Sequence, residues 1–400
     1  MLTKRTYVQT HPWIKFELDT RNYTHEMWMM LGEAASKANH IGGVPLAPEA
    51  AKKLYDVFLA KGALATTAIE GNTLTEDQVV RQVQGTLKLP PSQQYLQQEV
   101  QNIIDACNTL VADLQKSGPV PITTEFCCHL NAMVLKDLKL DDDAGKAGEI
   151  RRHSVVVGSV YRGAPPEDCK FLLDETCRNI EEMPYGKENN EYLAILAALF
   201  AHIYMALIHP FGDGNGRTAR LLEFYILLSA GFPMPTGQLL SNHYNKTRTV
   251  YYRELDKISK SGGETKSFVR YALEGFIDGL KEQIGHIRKE QFAVAWVNYV
   301  HDQFQGRKTA ADQRKRELVL SLGRINRSAR INEIMDLTPT LAREYSGKTD
   351  KTLTRDLNAL IQMGLVERKP GRRVKASTGK LRAFLPWKNK RPLESTESET

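Results

Sequence analysis

A glycine-broken loop between two apolar runs most constrains how this 400-residue chain can fold. Apolar residues fill residues 192–208 and return at 221–228, both at helical spacing. Between them the chain reads His209-Pro210-Phe211-Gly212-Asp213-Gly214-Asn215-Gly216-Arg217-Thr218-Ala219-Arg220. Glycine allows backbone conformations that a Cβ forbids, so successive amides can form a concave nest before the second helix. The stretch therefore predicts an anion-binding helix–loop–helix.

The polar residues of this loop predict phosphoryl or nucleotidyl transfer. Arg217 and Arg220 lie three apart on one helix face and can bind several phosphate oxygens. Asp213 offers the hard oxygen that Mg²⁺ prefers beside phosphates, and His209 can accept a proton near neutral pH. No Gly-Lys-Ser/Thr follows the glycines, which disfavours a Walker-type site. The alternative is a structural turn with a buried histidine and solvated arginines.

The loop also resembles the Fic-domain signature H-x-F-x-(D/E)-G-N-G-R-x-x-R, and it agrees at every defined position. The resemblance implies a mainly helical domain that transfers AMP from ATP to Ser, Thr or Tyr hydroxyls of target proteins and of itself. Doc-type relatives that act as protein kinases replace the Gly-Asn-Gly part of the loop. That part is intact here at residues 214–216, which favours AMP transfer.

The resemblance also implies a role for each loop residue. His209 would take the proton from the attacking hydroxyl, and Asp213 would hold Mg²⁺ between the α- and β-phosphates. A tyrosine pair at residues 251–252 makes Tyr252 the candidate for stacking on adenine, with helix packing as the alternative. The implied phosphate-binding residues are Gly214, Asn215, Gly216, Arg217 and Arg220.

A second motif lies about 140 residues upstream of the loop. Gly71 is a helix stop, which places Glu70 in the last turn, where the helix dipole disfavours a carboxylate. We therefore expect a cation beside Glu70. Thr66, Glu70 and Gly71 match the inhibitory motif (S/T)-x-x-x-E-(G/N) found upstream of many Fic domains, which implies that Glu70 pairs with Arg220 at rest. The alternative is a solvated helix end.

Residues 154–162 are the convincing β stretch ahead of the C-terminal region. Two β-branched runs flank Gly158-Ser159 and predict a hairpin, followed by a proline-rich turn at residues 164–166. In Fic proteins a flap at this place lines the target side of the active site. A free strand edge can accept an extended segment, so we expect a protein target to dock on the flap at residues 150–166. The alternative is a hairpin that only covers a helix.

The positive charge of the chain is concentrated near its C-terminus. The net charge is +7, and residues 306–390 hold 21 Lys and Arg against 8 Asp and Glu. Helices at 314–322, 330–335 and 349–363, with strands from 364 and at 381–385, predict a winged helix-turn-helix. The expected partner is double-stranded DNA, and the alternative is a protein-contact or dimerisation module, so a homodimer is also a candidate. The candidate DNA contacts are Lys348, Lys351, Thr352 and Arg355 on the second helix of the pair, and Arg372, Arg373 and Lys375 on the wing.

The fold prediction is therefore mainly α: a helical Fic domain with a β-hairpin flap, plus a C-terminal winged helix-turn-helix domain. The predicted divisions are an N-terminal helical region at 1–110, a catalytic core at 111–304, the winged domain at 305–388 and a disordered tail at 389–400. A different class of function stays open, namely a nucleotide-sensing, DNA-binding transcriptional regulator with little transferase activity.

Location and minor candidates follow from composition. Five cysteines without metal-ligand spacing indicate reduced thiols and a cytoplasmic protein. We expect no signal peptide, no apolar run long enough to span a membrane and no membrane partner. His129 and His202 are interpreted as core or rim histidines rather than ligands.

Overall fold

The computed structural model describes residues 5–141, 145–157, 161–186 and 191–382. The chain divides into two compact units, Met1–Gly285 and His286–Thr400, and helix Lys266–Gln303 runs across the division. The predicted division at 304/305 therefore lies later than the observed one. The predicted division at 110/111 falls inside helix Gln94–Ser117, so it separates no compact units.

The first unit is built from helices joined by short turns. Threonine caps begin several of them, as at Thr24, Thr75 and Thr123, whose hydroxyls accept from backbone amides of the first turn. The helices are α1 Tyr7–Thr10, α2 His25–Gly43, α3 Pro48–Ile69, α4 Glu76–Val83, α5 Gln94–Ser117, α6 Thr124–Val134, α7 Pro166–Glu182, α8 Glu191–Ile208, α9 Asn215–Ser229, α10 Met234–Gly237, α11 Leu239–Lys246, α12 Arg248–Lys260 and α13 Lys266–Gln303.

Helix α8 is the centre of this unit and packs against α2, α7, α9 and α12. It is 18 residues long with a mean hydropathy of 1.8, so by length and composition it could cross a membrane. The expectation that the chain has no apolar run long enough to span a membrane was therefore wrong as to length and composition. However, 78% of the helix is buried inside the unit, which is the burial of a core helix. Each fully buried large apolar side chain on it contributes roughly 1.5–3 kcal/mol.

The predicted hairpin is present as β1 Val156–Val157 and β2 Tyr161–Arg162, paired antiparallel. A further antiparallel bridge joins Ile150 to Phe211 and so attaches the base of the flap to the glycine loop. The predicted turn at Gly158-Ser159 lies outside the described residues.

The second unit combines helices with a small antiparallel sheet in the order β3-β5-β4. Its own elements are α14 Ala310–Ile325, β3 Ala329–Arg330, α15 Pro339–Tyr345, α16 Asp350–Gln362, β4 Val366–Lys369 and β5 Arg373–Ala376. This order is compatible with a winged helix-turn-helix, which stays a prediction. The predicted tail at 389–400 lies outside the described residues.

Two details of the second unit correct the sequence analysis. The helix expected at 330–335 is a 3-10 turn, Ile331–Asp336, and the short strand β3 precedes it. The returning strand is β5, with Val374 and Ala376 buried at alternate positions, whereas Thr378–Arg382 forms another 3-10 turn. Residues 381–382 of the predicted strand lie in that turn, and residues 383–385 lie outside the described residues. The alternating pattern that fits the core lies at 374–376.

A buried polar cluster joins the three helices of the second unit. The Arg314 guanidinium donates to the Asp356 carboxylate at 2.8 Å, and the Tyr345 hydroxyl donates to the same oxygen at 3.1 Å. Because each of these groups would be costly to bury alone, the cluster fixes α14, α15 and α16 in one register around the leucine core.

Candidate active site

The glycine loop is held in shape by its own asparagine. Gly214 lies in the left-handed region (φ 74°) and caps α9. The Asn215 side chain accepts from the Phe211 amide at 2.9 Å and donates to the Phe211 carbonyl at 2.8 Å. The side-chain amide of Asn215 is thus engaged by the loop backbone, and the part of Asn215 in phosphate binding stays a prediction. The backbone amides at the start of α9 have no intrahelical acceptors, so the helix end can still bind an anion.

Asn131 of α6 supports the loop from below. Its amide nitrogen donates to the Asp213 carbonyl at 2.9 Å and to the Thr218 hydroxyl at 3.1 Å, while its oxygen accepts from the Gly148 amide at 2.8 Å. The residue is 1% exposed. Sequence analysis missed it, although a polar residue on the buried face of α6 was a signal that could have found it.

Arg151 holds the segment that carries the histidine. Its guanidinium donates to the carbonyls of His209 at 2.7 Å and His153 at 2.6 Å, and also to those of Ala164 and Ile208. The side chain is buried, so these carbonyls have little access to water. Sequence analysis missed this residue too, because all its acceptors are backbone carbonyls and two of them lie more than 50 residues away.

His209 follows the last residue of α8 and has a positive φ of 54°, so the chain turns sharply there. Its backbone amide donates to the Met205 carbonyl at 3.0 Å. Burial lowers the pKa of the imidazole to about 4, against the opposing influence of the Ala206 carbonyl and Glu70. The ring is therefore neutral at neutral pH, which is the form that accepts a proton.

Arg217 and Asp213 form a pair at the mouth of the loop. The Arg217 guanidinium is buried and lies 3.0 Å from a Glu99 oxygen and 3.2 Å from Asp213 Oδ1. The Asp213 side chain is 46% exposed, and its Oδ1 also accepts from the Gly214 amide. The described residues contain no cluster of three or more His, Cys, Asp or Glu able to hold a metal ion. A single exposed carboxylate fits Mg²⁺ that takes its other ligands from nucleotide phosphates and water.

Glu70 lies over the start of α9 and pairs with Arg220. The Arg220 Nη2 is 2.5 Å from Glu70 Oε1, and a Cβ placed on Gly216 would overlap that carboxylate. Burial by itself would raise the pKa of the Glu70 carboxyl, but the Arg220 guanidinium, aided by Arg217, holds it below its ordinary value. The Glu70 carboxylate therefore lies against the first turn of α9 and is paired with a buried guanidinium.

Thr66 holds Arg220 independently of Glu70. The Thr66 hydroxyl accepts from Arg220 Nε at 2.7 Å, and the Thr66 carbonyl accepts from Nη2 at 3.0 Å. Arg220 Nη1 is buried and has no hydrogen-bond partner among the described residues. One buried guanidinium N–H group is thus available to a further acceptor.

Comparison with known proteins agrees with this geometry. Residues 121–227 match the Fic/DOC family. The chain contains a Fic domain. It is 29% identical over 229 residues to protein adenylyltransferase fic-1 of Caenorhabditis briggsae, covering 56% of this chain and 42% of that protein. It is 26% identical over 243 residues to protein adenylyltransferase Fic of Nematostella vectensis, covering 60% and 52%. The chain thus spans about half the length of these curated relatives.

Solved structures show the same fold. A Fic family protein from Desulfovibrio desulfuricans is 18% identical with a TM-score of 0.55, covering 89% of this chain and 97% of that one. A Fic domain-containing signalling protein from Bacteroides thetaiotaomicron is 24% identical with a TM-score of 0.53, covering 65% and 98%. At these identities the likeness supports the fold alone.

The tyrosine pair lies beside the Fic loop and divides into two roles. Tyr251 is buried, and its hydroxyl lies 2.9 Å from His202 Nε2, which belongs to the core. Tyr252 is 41% exposed, its hydroxyl donates to the Ile69 carbonyl at 3.4 Å, and the Arg248 guanidinium lies over its ring. Tyr252 thus has an accessible ring near Glu70. His129, interpreted from the sequence as a core or rim histidine, is exposed on α6.

The predicted DNA contacts of the second unit differ in their exposure to solvent. Lys348, Lys351, Arg355 and Arg372 are exposed, and Thr352 and Lys375 are partly buried. Thr354 and Asn358, which are not among the predicted contacts, are exposed at helical spacing with Lys351 on α16. Arg373 donates to the Ser328 carbonyl at 3.1 Å from within β5, so it supports the sheet and is not a free wing residue.

Replacing Arg151 with methionine should destabilise the first unit by at least about 3 kcal/mol, because several buried carbonyls lose their donor. Arg152→Met is the matched control, since Arg152 is exposed and should change stability by less than about 0.5 kcal/mol. The measurement is the free energy of unfolding from urea denaturation. Equal stability of the two variants would contradict the role assigned to Arg151.

Proposed function

We propose that this protein is a protein adenylyltransferase, which transfers AMP from ATP to Ser, Thr or Tyr hydroxyls of target proteins and of itself. The observation that carries the proposal is a neutral His209 beside an anion site formed by the start of α9 and the buried Arg220. The names of the matched relatives support the same reaction, over about half of their length.

In the proposed reaction the target hydroxyl oxygen attacks the α-phosphorus of ATP while His209 accepts the hydroxyl proton. A new oxygen–phosphorus bond forms, the bond from the α-phosphorus to the bridging oxygen breaks, and pyrophosphate leaves with the electron pair. Arg217 and Arg220 neutralise charge on the pyrophosphate, and the amides at 214–216 orient the phosphates. Positioning and charge stabilisation supply most of the rate.

Asp213 is the residue that would hold Mg²⁺. Its carboxylate is exposed at the loop and is kept in place by Arg217 and the Gly214 amide. When bound, the ion neutralises phosphate charge and orients the α- and β-phosphates.

Glu70 is proposed to inhibit the resting enzyme. Its carboxylate lies against Gly216 and takes one donor of Arg220, which is the position a nucleotide phosphate would need. With Glu70 in place, ATP binds without an α-phosphate in line for attack. Thr66 keeps Arg220 oriented in both states.

The proposed acceptor is an extended segment of a target protein that docks on the flap. Val156 of β1 is 57% exposed, and the flap base is bridged to the catalytic loop, so an added strand would lie close to His209.

We also propose that the protein is cytoplasmic, on the argument that its five cysteines are all free thiols.

We further propose that the second unit binds double-stranded DNA through α16. The support is the excess of basic residues in this region and the exposure of Lys351, Thr354, Arg355 and Asn358 along one helix face. A protein-contact role would leave this face without any affinity for duplexes.

His209→Ala should abolish AMP transfer while leaving ATP affinity nearly intact, since the ring acts on the incoming hydroxyl. Loss of a general base typically lowers the rate on the order of 10²–10⁴-fold. The measurement is incorporation from ATP labelled at the α- or the γ-phosphate. Label from the α position indicates AMP transfer and from the γ position a kinase; label from neither indicates a nucleotide sensor.

The pH profile checks the same assignment. Because the pKa of His209 is lowered to about 4, its neutral form dominates at neutral pH and is lost as pH falls through that value. Transfer should therefore change little between about pH 6 and 8 on account of this group and should decline toward pH 4. A sharp loss between pH 8 and 6 would contradict the lowered pKa. His129→Ala, at an exposed position on α6, is the control.

Glu70→Gly should raise AMP transfer, including self-modification, by at least about tenfold, which needs roughly 1.4 kcal/mol of lost competition. The double variant Glu70→Gly with Arg220→Ala should return to low activity, because the freed donor is then missing. The measurement is α-labelled ATP incorporation at equal protein and Mg²⁺ concentrations. Glu49→Gly, an exposed glutamate at the start of the same helix, is the control. Equal labelling by wild type and Glu70→Gly would contradict the inhibitory role proposed for Glu70.

Lys351→Ala with Arg355→Ala should weaken duplex binding and should lower the salt slope by about one for each lost phosphate contact. Lys139→Ala, an exposed lysine of the first unit, should leave binding unchanged. The measurement is fluorescence anisotropy of a labelled duplex across a salt series. Binding that is independent of salt, or absent with every duplex, would favour a protein-contact role.

A further inference from the structure

An N-terminal segment, residues 5–18, runs across the first unit and reaches the flap. We call this segment the strap. At its start, the Tyr7 amide donates to the buried Asp168 carboxylate of α7 at 2.7 Å. The Arg5 guanidinium lies 3.4 Å from Asp168 and 3.7 Å from the centre of the Phe171 ring. These contacts fix one end of the strap on α7.

The other end of the strap is joined to α8. The Phe16 ring stacks on Tyr204 with ring centres 5.1 Å apart, and the Tyr204 hydroxyl bonds to both backbone groups of Glu17. Between these two anchors lie His11 and Trp13, the residues that contact the flap. The strap therefore holds His11 between two packed helices.

His11 covers the outer edge of β2. The side chain is 4% exposed, and its Nε2 lies 2.9 Å from the Arg162 carbonyl, so this nitrogen carries the proton that is donated. Its Nδ1 then accepts from the Thr10 hydroxyl at 2.8 Å. The Gly163 amide bonds inward to the Val155 carbonyl, so by antiparallel alternation the Arg162 carbonyl points away from β1.

Tyr161 connects the same strand to the catalytic segment. Its hydroxyl donates to the Leu207 carbonyl in the last turn of α8 at 2.7 Å, and it accepts from the Trp13 indole at 3.3 Å. Leu207 lies two residues before His209. The position of β2 relative to the catalytic base is thus set by the strap on one side and by α8 on the other.

We propose that the strap positions the flap for acceptor binding, with His11 as its positioning residue. By covering the outer edge of β2, it leaves the outer edge of β1, at the exposed Val156, as the edge open to an acceptor segment. The consequence for catalysis rests on the proposed AMP transfer. His11 has no contact with the phosphate-binding residues, so its loss should act on the acceptor and not on ATP.

The test replaces His11 with alanine and, separately, with glutamine, whose amide can donate to the Arg162 carbonyl. Both changes are made in the full chain that also carries Glu70→Gly. Hydrogen exchange at the Gly163 amide reports on the flap, and α-labelled ATP self-modification reports on transfer. His11→Ala should speed the exchange about fivefold, as expected for one lost hydrogen bond, and should slow transfer without changing the KM for ATP. His11→Gln should restore both.

Lys15→Ala, an exposed position on the strap, is the matched control and should alter neither readout. Unchanged exchange in His11→Ala would overturn the proposal, as would faster exchange with unchanged transfer. A failure of glutamine to restore either readout would also count against His11 as the donor. If the Glu70→Gly parent takes up no label, the proposed function fails, and the exchange result alone then decides whether the strap holds the flap.

Discussion

The rest of the site depends on how the buried guanidinium of Arg220 is paired. A charge in this position must be paired, and Thr66 and Glu70 provide the pairing from the end of α3. The two partners differ in kind. Thr66 supplies neutral acceptors that are themselves buried, whereas Glu70 supplies a charge on a side chain that keeps 32% of its surface exposed. Under the proposed function, an anionic ligand would replace Glu70 while the two bonds to Thr66 keep Arg220 attached to α3.

The backbone of the glycine loop is held by hydrogen bonds from side chains of the loop itself and of other segments. Asn215 closes the loop on itself, Asn131 holds the Asp213 carbonyl, and Arg151 gathers the carbonyls around His209. None of these contacts uses an atom that the reaction would need. These side chains do not engage the imidazole, and the Asp213 carboxylate is held separately by Arg217 and the Gly214 amide. The proposed reactive groups are thus held in position, which is what a reaction governed by positioning requires.

Local sequence patterns predicted the helices and the candidate reactive residues, since each pattern lies within a short segment. The helical periodicity at 192–208 and the motif residues at 209–220 can each be recognised within about 20 residues. Asn131 and Arg151 were missed because most of their partners are backbone atoms, several of them more than 50 residues away, which leave no trace in composition. The contact of Arg373 with the Ser328 carbonyl was missed for a related reason, since the pairing with β3 could not be seen from the wing sequence.

The end of α3 is also where nucleotide binding and inhibition would meet. Glu70 follows the last residue of α3, and Gly71 has a positive φ of 102°, so the chain turns away from the helix directly after Glu70. Tyr252 of α12 contacts the Ile69 carbonyl, and Arg248 contacts the Ala68 carbonyl at 3.4 Å. A base stacked on Tyr252 would lie beside the turn of α3 that precedes Glu70. Under the proposed function, the adenine and the terminal phosphate of one ATP molecule would thus both act on a single helix end, and the balance between Glu70 and nucleotide would be decided there.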